Sequence, residues 1–177
     1  MGGLTGGVGL AMACVAVAFV TCAFGARTAD EKPDEWTWVE AKDFGVEGRP
    51  FADSEVPYGR LPRRFSGVPN NVLKFGRQST GMSVRLVPDD DVVRIRCEMD
   101  GDCWKGVAED LYMTTYVQVG LDWYLWEEKS GMWIFGGHAK PSKVDGAIDE
   151  TVMTRPGVPL LVNFPLRGTP RSVRFGV

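Results

Sequence analysis

The stretch VGLDWYLWEEKSGMWIFGGH (residues 119–138) alternates large apolar side chains with others, which is the period of a β-strand. Two such runs flank the turn sequence Lys129–Gly131, so the stretch is predicted to form a β-hairpin. Val119, Leu121, Trp123 and Leu125 are expected on one face of its first strand, and Asp122, Tyr124 and Trp126 on the other. A carboxylate among aromatic rings raises the question of whether the hairpin binds a ligand or only packs.

The same alternation recurs in GMSVRLV (81–87), DVVRIRCE (91–98), VPLLVNFP (158–165) and RSVRFGV (171–177). Six or more short strands at this spacing predict an all-β fold, a jelly-roll-like two-sheet β-sandwich. The segment RPFADSEVPYGRLPRRFSGVPNN (49–71) is rich in Pro and Gly and is expected to wrap the sandwich without regular structure. No amphipathic helix of about ten or more residues is predicted beyond the N-terminal segment.

The N-terminal residues 1–25 differ in composition from the rest of the chain. The run VGLAMACVAVAFVTCAF (8–24) has no charged residue, and small residues follow it. A signal peptide at 1–25 is predicted, although no Lys or Arg precedes the run; a retained membrane anchor and a buried helix are the alternatives. Residues 26–35 are expected to form a flexible lead-in, and the protein is expected to be secreted or periplasmic.

Composition and cysteines narrow the classes of ligand. A net charge of −3 with scattered basic residues gives no basic face for a nucleic acid. Cys97 and Cys103 are close enough in the chain to close a small loop as a disulfide in an oxidising compartment, and free buried thiols are the alternative. Cys97 and Cys103 are the cysteines that follow the predicted signal peptide, and with the single histidine they are too few ligands for zinc, so neither a metal nor another cofactor is expected.

Catalytic chemistry has few candidates. His138 is the one histidine, and a histidine beside a turn is expected to be an unremarkable surface residue. No Gly-x-Ser-x-Gly elbow is present, and the paired carboxylates of PDDD and MDGD are typical of turns. The chain is therefore not expected to be catalytic by itself. The outward residues Asp122, Tyr124 and Trp126 form a candidate sugar platform, or else they pack under a loop or another domain.

Four blocks resemble a known family. GLDWY (120–124) resembles the Gly-x-Asp-Leu-Tyr signature of the domain that precedes the catalytic domain in SGNH-hydrolase-type esterases. VPYGRLP (56–62), RQSTGMSVRLVPDDDVVRIRCE (77–98) and VNFPLRGTPRSVRFGV (162–177) are similar to other blocks of that domain, in the same order. The sequence departs from the pattern at Trp123, at PLRGT (165–169) and at Cys97 and Cys103.

The resemblance implies a jelly-roll-like domain over residues 36–177, beside an SGNH domain that holds the catalytic residues. None of those catalytic blocks maps onto this chain, so a fragment or a free-standing accessory domain is expected. The family-motif positions are Tyr58, Arg60, Gly120, Asp122 and Tyr124. Asp122 is expected to pair with an arginine such as Arg60 or to accept backbone N–H bonds.

The function that the resemblance implies is that of a non-catalytic accessory domain of an exported esterase acting on carboxylic esters. Its expected partners are a downstream SGNH domain, on the same or a neighbouring polypeptide, and an acylated carbohydrate. No nucleic acid is expected, and no membrane apart from the signal segment. An autonomous carbohydrate-binding module and a purely structural interaction domain are the alternatives.

Overall fold

The computed structural model describes residues 36–65, 67–100, 119–142 and 145–177. The predicted signal peptide, the lead-in 26–35 and Cys103 lie outside these residues. The described elements, in chain order, are β1 (Trp38–Glu40), α1 (Ala41–Phe44), β2 (Val46–Glu47), α2 (Asn70–Gly76), β3 (Ser83–Leu86), β4 (Val92–Met99), β5 (Leu121–Glu127), β6 (Met132–Ala139), β7 (Ile148–Met153), β8 (Leu160–Asn163) and β9 (Pro170–Gly176).

The described strands form two antiparallel sheets. One has four strands in the order β1-β9-β4-β7, and the other has five in the order β2-β3-β8-β5-β6. Apart from the two-residue β2, strands adjacent in sequence mostly fall in different sheets, which is the connectivity of a jelly roll. The predicted all-β two-sheet sandwich is confirmed.

The core lies between the sheets and follows the alternation of the sequence. In β4, Val93, Ile95 and Cys97 are fully buried, and in β8 Leu160 and Val162 are buried in the same way. Their neighbours along each strand point outward, because successive side chains of a strand lie on opposite faces. Each buried Val, Leu or Ile contributes about 1.5–3 kcal/mol relative to leaving it exposed.

The segment 49–71 is less irregular than expected, because α2 begins at Asn70. The helix has no side-chain N-cap, and its C-terminal carbonyls are satisfied by a distant loop. Arg60 donates its Nη2–H to the carbonyl of Phe75 at 2.8 Å and its backbone N–H to the carbonyl of Gly76 at 2.7 Å. A helix of seven residues makes only about two turns, which is too few for its hydrophobic periodicity to be recognised in the sequence.

Two further observations concern predictions made from the sequence. Cys97 is buried in the core, and its proposed disulfide to Cys103 stays a prediction because Cys103 is outside the described residues. Within the described ranges, no helix has the length and apolarity needed to cross a bilayer.

Candidate functional site

The outward face of the β5–β6 hairpin contains the residues of the family signature. Leu121, Trp123 and Leu125 belong to or pack against the core. Asp122, Tyr124 and Trp126 therefore point away from it, as predicted, with Gly120 immediately before the strand.

Asp122 and His138 are directly opposite each other on β5 and β6. The imidazole Nδ1 lies 2.6 Å from Asp122 Oδ1, and because an ionised carboxylate only accepts, the Nδ1–H donates this hydrogen bond. The His138 side chain is 21% exposed and that of Asp122 is 42% exposed. The expected pairing of Asp122 with an arginine such as Arg60 is wrong, because Arg60 bonds the carbonyl of Phe75. His138 lies on the outward face, partly exposed and bonded to Asp122.

A β-bulge in β6 decides this pairing. Trp123 is opposite Gly137 and Tyr124 is opposite Phe135, so Gly136 is an extra residue without a partner in β5. Without the bulge, strict alternation from Phe135 would turn His138 toward the core. The bulge returns it to the outward face, where Asp122 is within hydrogen-bond reach.

Three glycines make room for the large rings of the hairpin. A Cβ on Gly120 would lie 2.1 Å from Cε1 and 2.3 Å from Nε2 of His138. On the inward side, a Cβ on Gly136 would lie 2.6 Å from the Trp123 indole, and one on Gly137 would lie 2.3 Å from it. The close approach of imidazole and indole to the backbone therefore requires glycine at each of these positions.

Among the described residues, His138 has no hydrogen bond to the nucleophile that a hydrolase triad requires. In a triad, the base is oriented by a carboxylate on one nitrogen and bonds the nucleophile with the other. Asp122 supplies the first contact, but the buried Nε2 of His138 has no hydrogen-bond partner among the described residues. The same residues contain no group of three or more His, Cys, Asp or Glu side chains arranged to hold a metal ion.

Aromatic pairs continue the outward face beyond Asp122 and His138. Tyr124 and Phe135 meet edge to face with ring centroids 5.6 Å apart. Trp126 and Trp133 do the same at 5.3 Å. Their contacts stabilise the hairpin by about 0.5–1.5 kcal/mol per pair beyond the burial of area.

Arg85 connects the aromatic pairs to β2, the strand at the opposite edge of the same sheet. Its guanidinium lies 5.5 Å from the ring centroid of Trp133 and 3.3 Å from the Glu47 carboxylate. Trp133 was considered with Tyr124 and Trp126 for a sugar-binding module, but Phe135 and Arg85 were not among the candidate site residues. The hairpin register places Phe135 opposite Tyr124, and the strand order brings Arg85 to Trp133.

The other two motif positions have structural roles away from this face. Tyr58 is buried against Phe164, and its hydroxyl donates to Glu40 Oε2 at 3.3 Å. Burial and then the negative charge of Glu40 raise the pKa of Tyr58 well above its ordinary value. Arg60 fixes the end of α2, so the structure does not bring either residue to Asp122.

A cavity of about 470 Å³ lies between α2 and the loop around Pro62. Its rim includes the ion pair of Arg77 and Glu55, whose charged atoms are 2.9 Å apart. None of the residues predicted to form a site lines this cavity.

The architecture is that of a jelly-roll domain also present in a larger solved protein. A crystal structure described as a GDSL-like lipase from Bacteroides ovatus superposes on the chain with a TM-score of 0.65 at 21% identity. The match covers 81% of this chain and 41% of that one, so the present chain spans less than half of its length. At this identity the likeness concerns the fold.

The family model described as GxDLY, the N-terminus of SGNH-hydrolase-type esterases, matches residues 36–177. The chain belongs to this family, as the resemblance of its four blocks predicted. No curated protein matches it.

Proposed function

We propose that the domain is the non-catalytic N-terminal part of an exported SGNH-type esterase system. It helps to hold an acylated carbohydrate for a partner SGNH domain, which hydrolyses the carboxylic ester. Export rests on the apolar segment predicted to be a signal peptide.

The outward position of the signature carries this proposal. Asp122 and Tyr124 are signature positions, and the side chains of both face away from the core between the sheets, whereas Gly120 is buried against His138. A signature that only stabilised the sandwich would be expected inside it. Signature residues that face outward and do not stabilise the core are suited to contact with a ligand or a neighbouring domain.

The incomplete triad supports a non-catalytic role. His138 is oriented by Asp122, but no described hydroxyl or thiol hydrogen-bonds its Nε2. General-base activation of a nucleophile needs that contact.

A second candidate function is that of an autonomous carbohydrate-binding module. The paired rings of Tyr124 with Phe135 and of Trp126 with Trp133 favour it, because aromatic surfaces pack against the apolar faces of sugar rings.

An ester-hydrolysis assay separates these functions from an independent enzyme. The purified chain should not turn over p-nitrophenyl acetate above background. Turnover that disappears in His138→Ala would contradict the non-catalytic assignment.

The partner is tested separately. DNA following codon 177, or a neighbouring gene, should encode an SGNH domain, and adding the chain to that domain should raise its turnover of acetylated xylan severalfold. An unchanged rate would contradict the accessory role.

A further inference from the structure

We propose that the outward face of the five-stranded sheet binds a neutral oligosaccharide, which lies across the strands along one row of polar side chains. The row takes one residue from each strand, in the order Glu47, Ser83, Asn163, Asp122 and His138. The inference rests on the proposed function for the class of ligand, and it assigns the site to the whole sheet rather than to one hairpin.

The row is continuous because the strand registers coincide. Ser83 is opposite Glu47 on one side and Asn163 on the other, and Asn163 is also opposite Asp122. Five strands at the usual spacing extend such a row over about 19 Å. That length suits several linked sugar rings better than one.

The central residues of the row have unused hydrogen-bonding capacity. The side chains of Ser83 and Asn163 are partly buried, and neither has a hydrogen-bond partner within the described part of the chain. A hydroxyl and an amide can each donate and accept, as sugar hydroxyls do. The hydroxyl of Ser83 and the amide of Asn163, at the centre of the sheet face, can therefore hydrogen-bond the hydroxyl groups of a sugar.

Both carboxylates of the row already have partners. Glu47 is paired with Arg85 at 3.3 Å, and Asp122 accepts a hydrogen bond from His138 at 2.6 Å. A phosphate or carboxylate ligand would be repelled by these carboxylates and would have to compete with Glu47 for Arg85. The face is therefore suited to a ligand without charge.

The next positions along the strands supply an apolar surface beside the polar row. Tyr124 is opposite both Leu161 and Phe135, and the pair Trp126–Trp133 follows. A sugar ring has a polar rim and apolar C–H faces, so it can pack on these side chains while its hydroxyls reach Asn163 and Ser83.

Affinity gel electrophoresis of the full chain tests the proposal. The probes are acetylated xylan, deacetylated xylan and glucomannan, followed by calorimetric titration with a soluble oligosaccharide of whichever polymer retards the protein. Trp126→Ala and Asn163→Ala should each raise the dissociation constant about tenfold.

The matched control is Trp38→Ala, which removes a tryptophan from the outward face of the four-stranded sheet and should leave binding unchanged. If Trp126→Ala does not fold, Tyr124→Phe removes only a hydroxyl and should still weaken binding. No retardation by any of the three polymers overturns the inference, as does equal binding by the wild-type chain and both face variants. A chain that stimulates its catalytic partner without binding glycan would leave the accessory role standing, remove the part of the proposed function that concerns holding the carbohydrate, and end this inference.

Discussion

Asp122 and His138 illustrate how one hydrogen bond depends on several residues that do not take part in it. The register places the two side chains opposite each other, the bulge at Gly136 turns the imidazole outward, and Gly120 leaves the space that it occupies. The bond itself is partly exposed, so its net contribution to stability is about 1 kcal/mol or less. Its importance lies in fixing the orientation of the ring.

Gly120→Ala should destabilise the domain by about 1–3 kcal/mol. The added Cβ would lie 2.5 Å from the carbonyl oxygen of Ala139 as well as against His138. A side chain can move aside, but the backbone oxygen belongs to a paired strand, and overpacking of this kind strains the ladder. Urea unfolding followed by fluorescence measures the change.

The control for this variant is Gly67→Ala, since a Cβ there has no atom within 4 Å and the backbone is not in the left-handed region. We expect a change within about 0.5 kcal/mol at that site. Equal losses at the two glycines would mean that backbone entropy, and not the contact with His138, is the cause.

At the scale of the elements, an ion-pair cluster connects β4 to β7 on the outward face of the four-stranded sheet. Arg94 donates to both oxygens of Asp149, at 2.6 and 2.7 Å, and Arg96 donates to one of them at 3.1 Å. Burial alone would raise the pKa of Asp149, but the hydrogen bonds from Arg94 and Arg96 outweigh it and hold this pKa below its ordinary value of 3.8.

Asp149→Asn should reveal the contribution of this ion-pair cluster through the pH dependence of stability. Because the pKa of Asp149 is lower in the folded state, its stabilisation is present above about pH 4 and is lost as pH falls through the folded value. The wild type should be more stable than the variant by about 1 kcal/mol at neutral pH, a figure reduced for the exposure of the pair. The two melting curves should converge in acid.

Thermal unfolding between pH 7 and pH 2 makes that comparison. A difference in stability that stays constant over the whole range would show that the carboxylate charge contributes nothing. Asp89→Asn, in the turn before β4, serves as a surface control.

The alternation of side chains was sufficient to predict the strands and their faces, because burial on one side imposes a period of two. Val93, Ile95 and Cys97 are buried while Arg94 and Arg96 face outward, as the sequence indicated. The helix α2 was missed because it has only seven residues and no side-chain N-cap, and its C-terminal end is held by Arg60 from outside the helix.

The candidate site was only partly predictable. Asp122, Tyr124 and Trp126 could be placed on one face from β5 alone. The partner of Asp122 could not be predicted, because the register of β6 depends on the bulge at Gly136. If side chains are assumed to alternate without a bulge, His138 is assigned to the core face instead of the outward face. Ser83 and Asn163 join the face through strand order, which a single sequence does not contain.

For the molecule as a whole, β6 is an edge strand of the five-stranded sheet. Met132, Ile134 and Phe135 are exposed along it. An edge with unpaired backbone groups and large apolar side chains is prone to pair with another chain. Within the part of the chain that the structure describes, this edge is therefore suited to self-association.

Met132→Lys should weaken concentration-dependent association while changing stability by about 0.5 kcal/mol or less, because Met132 is 57% exposed and stands opposite Glu127. Sedimentation velocity over a range of concentrations measures the effect. Met153→Lys is the matched control, since Met153 is equally exposed, at 57%, on β7 at the edge of the other sheet. The same result from both variants would assign the effect to net charge.

The indole of Trp123 occupies the volume that side chains at positions 136 and 137 would otherwise fill. These three positions should therefore coevolve. A homologue that has leucine in place of Trp123, as the family signature does, should tolerate alanine or serine at one of the two glycines, whereas grafting that leucine alone into this chain would open a void beneath the hairpin.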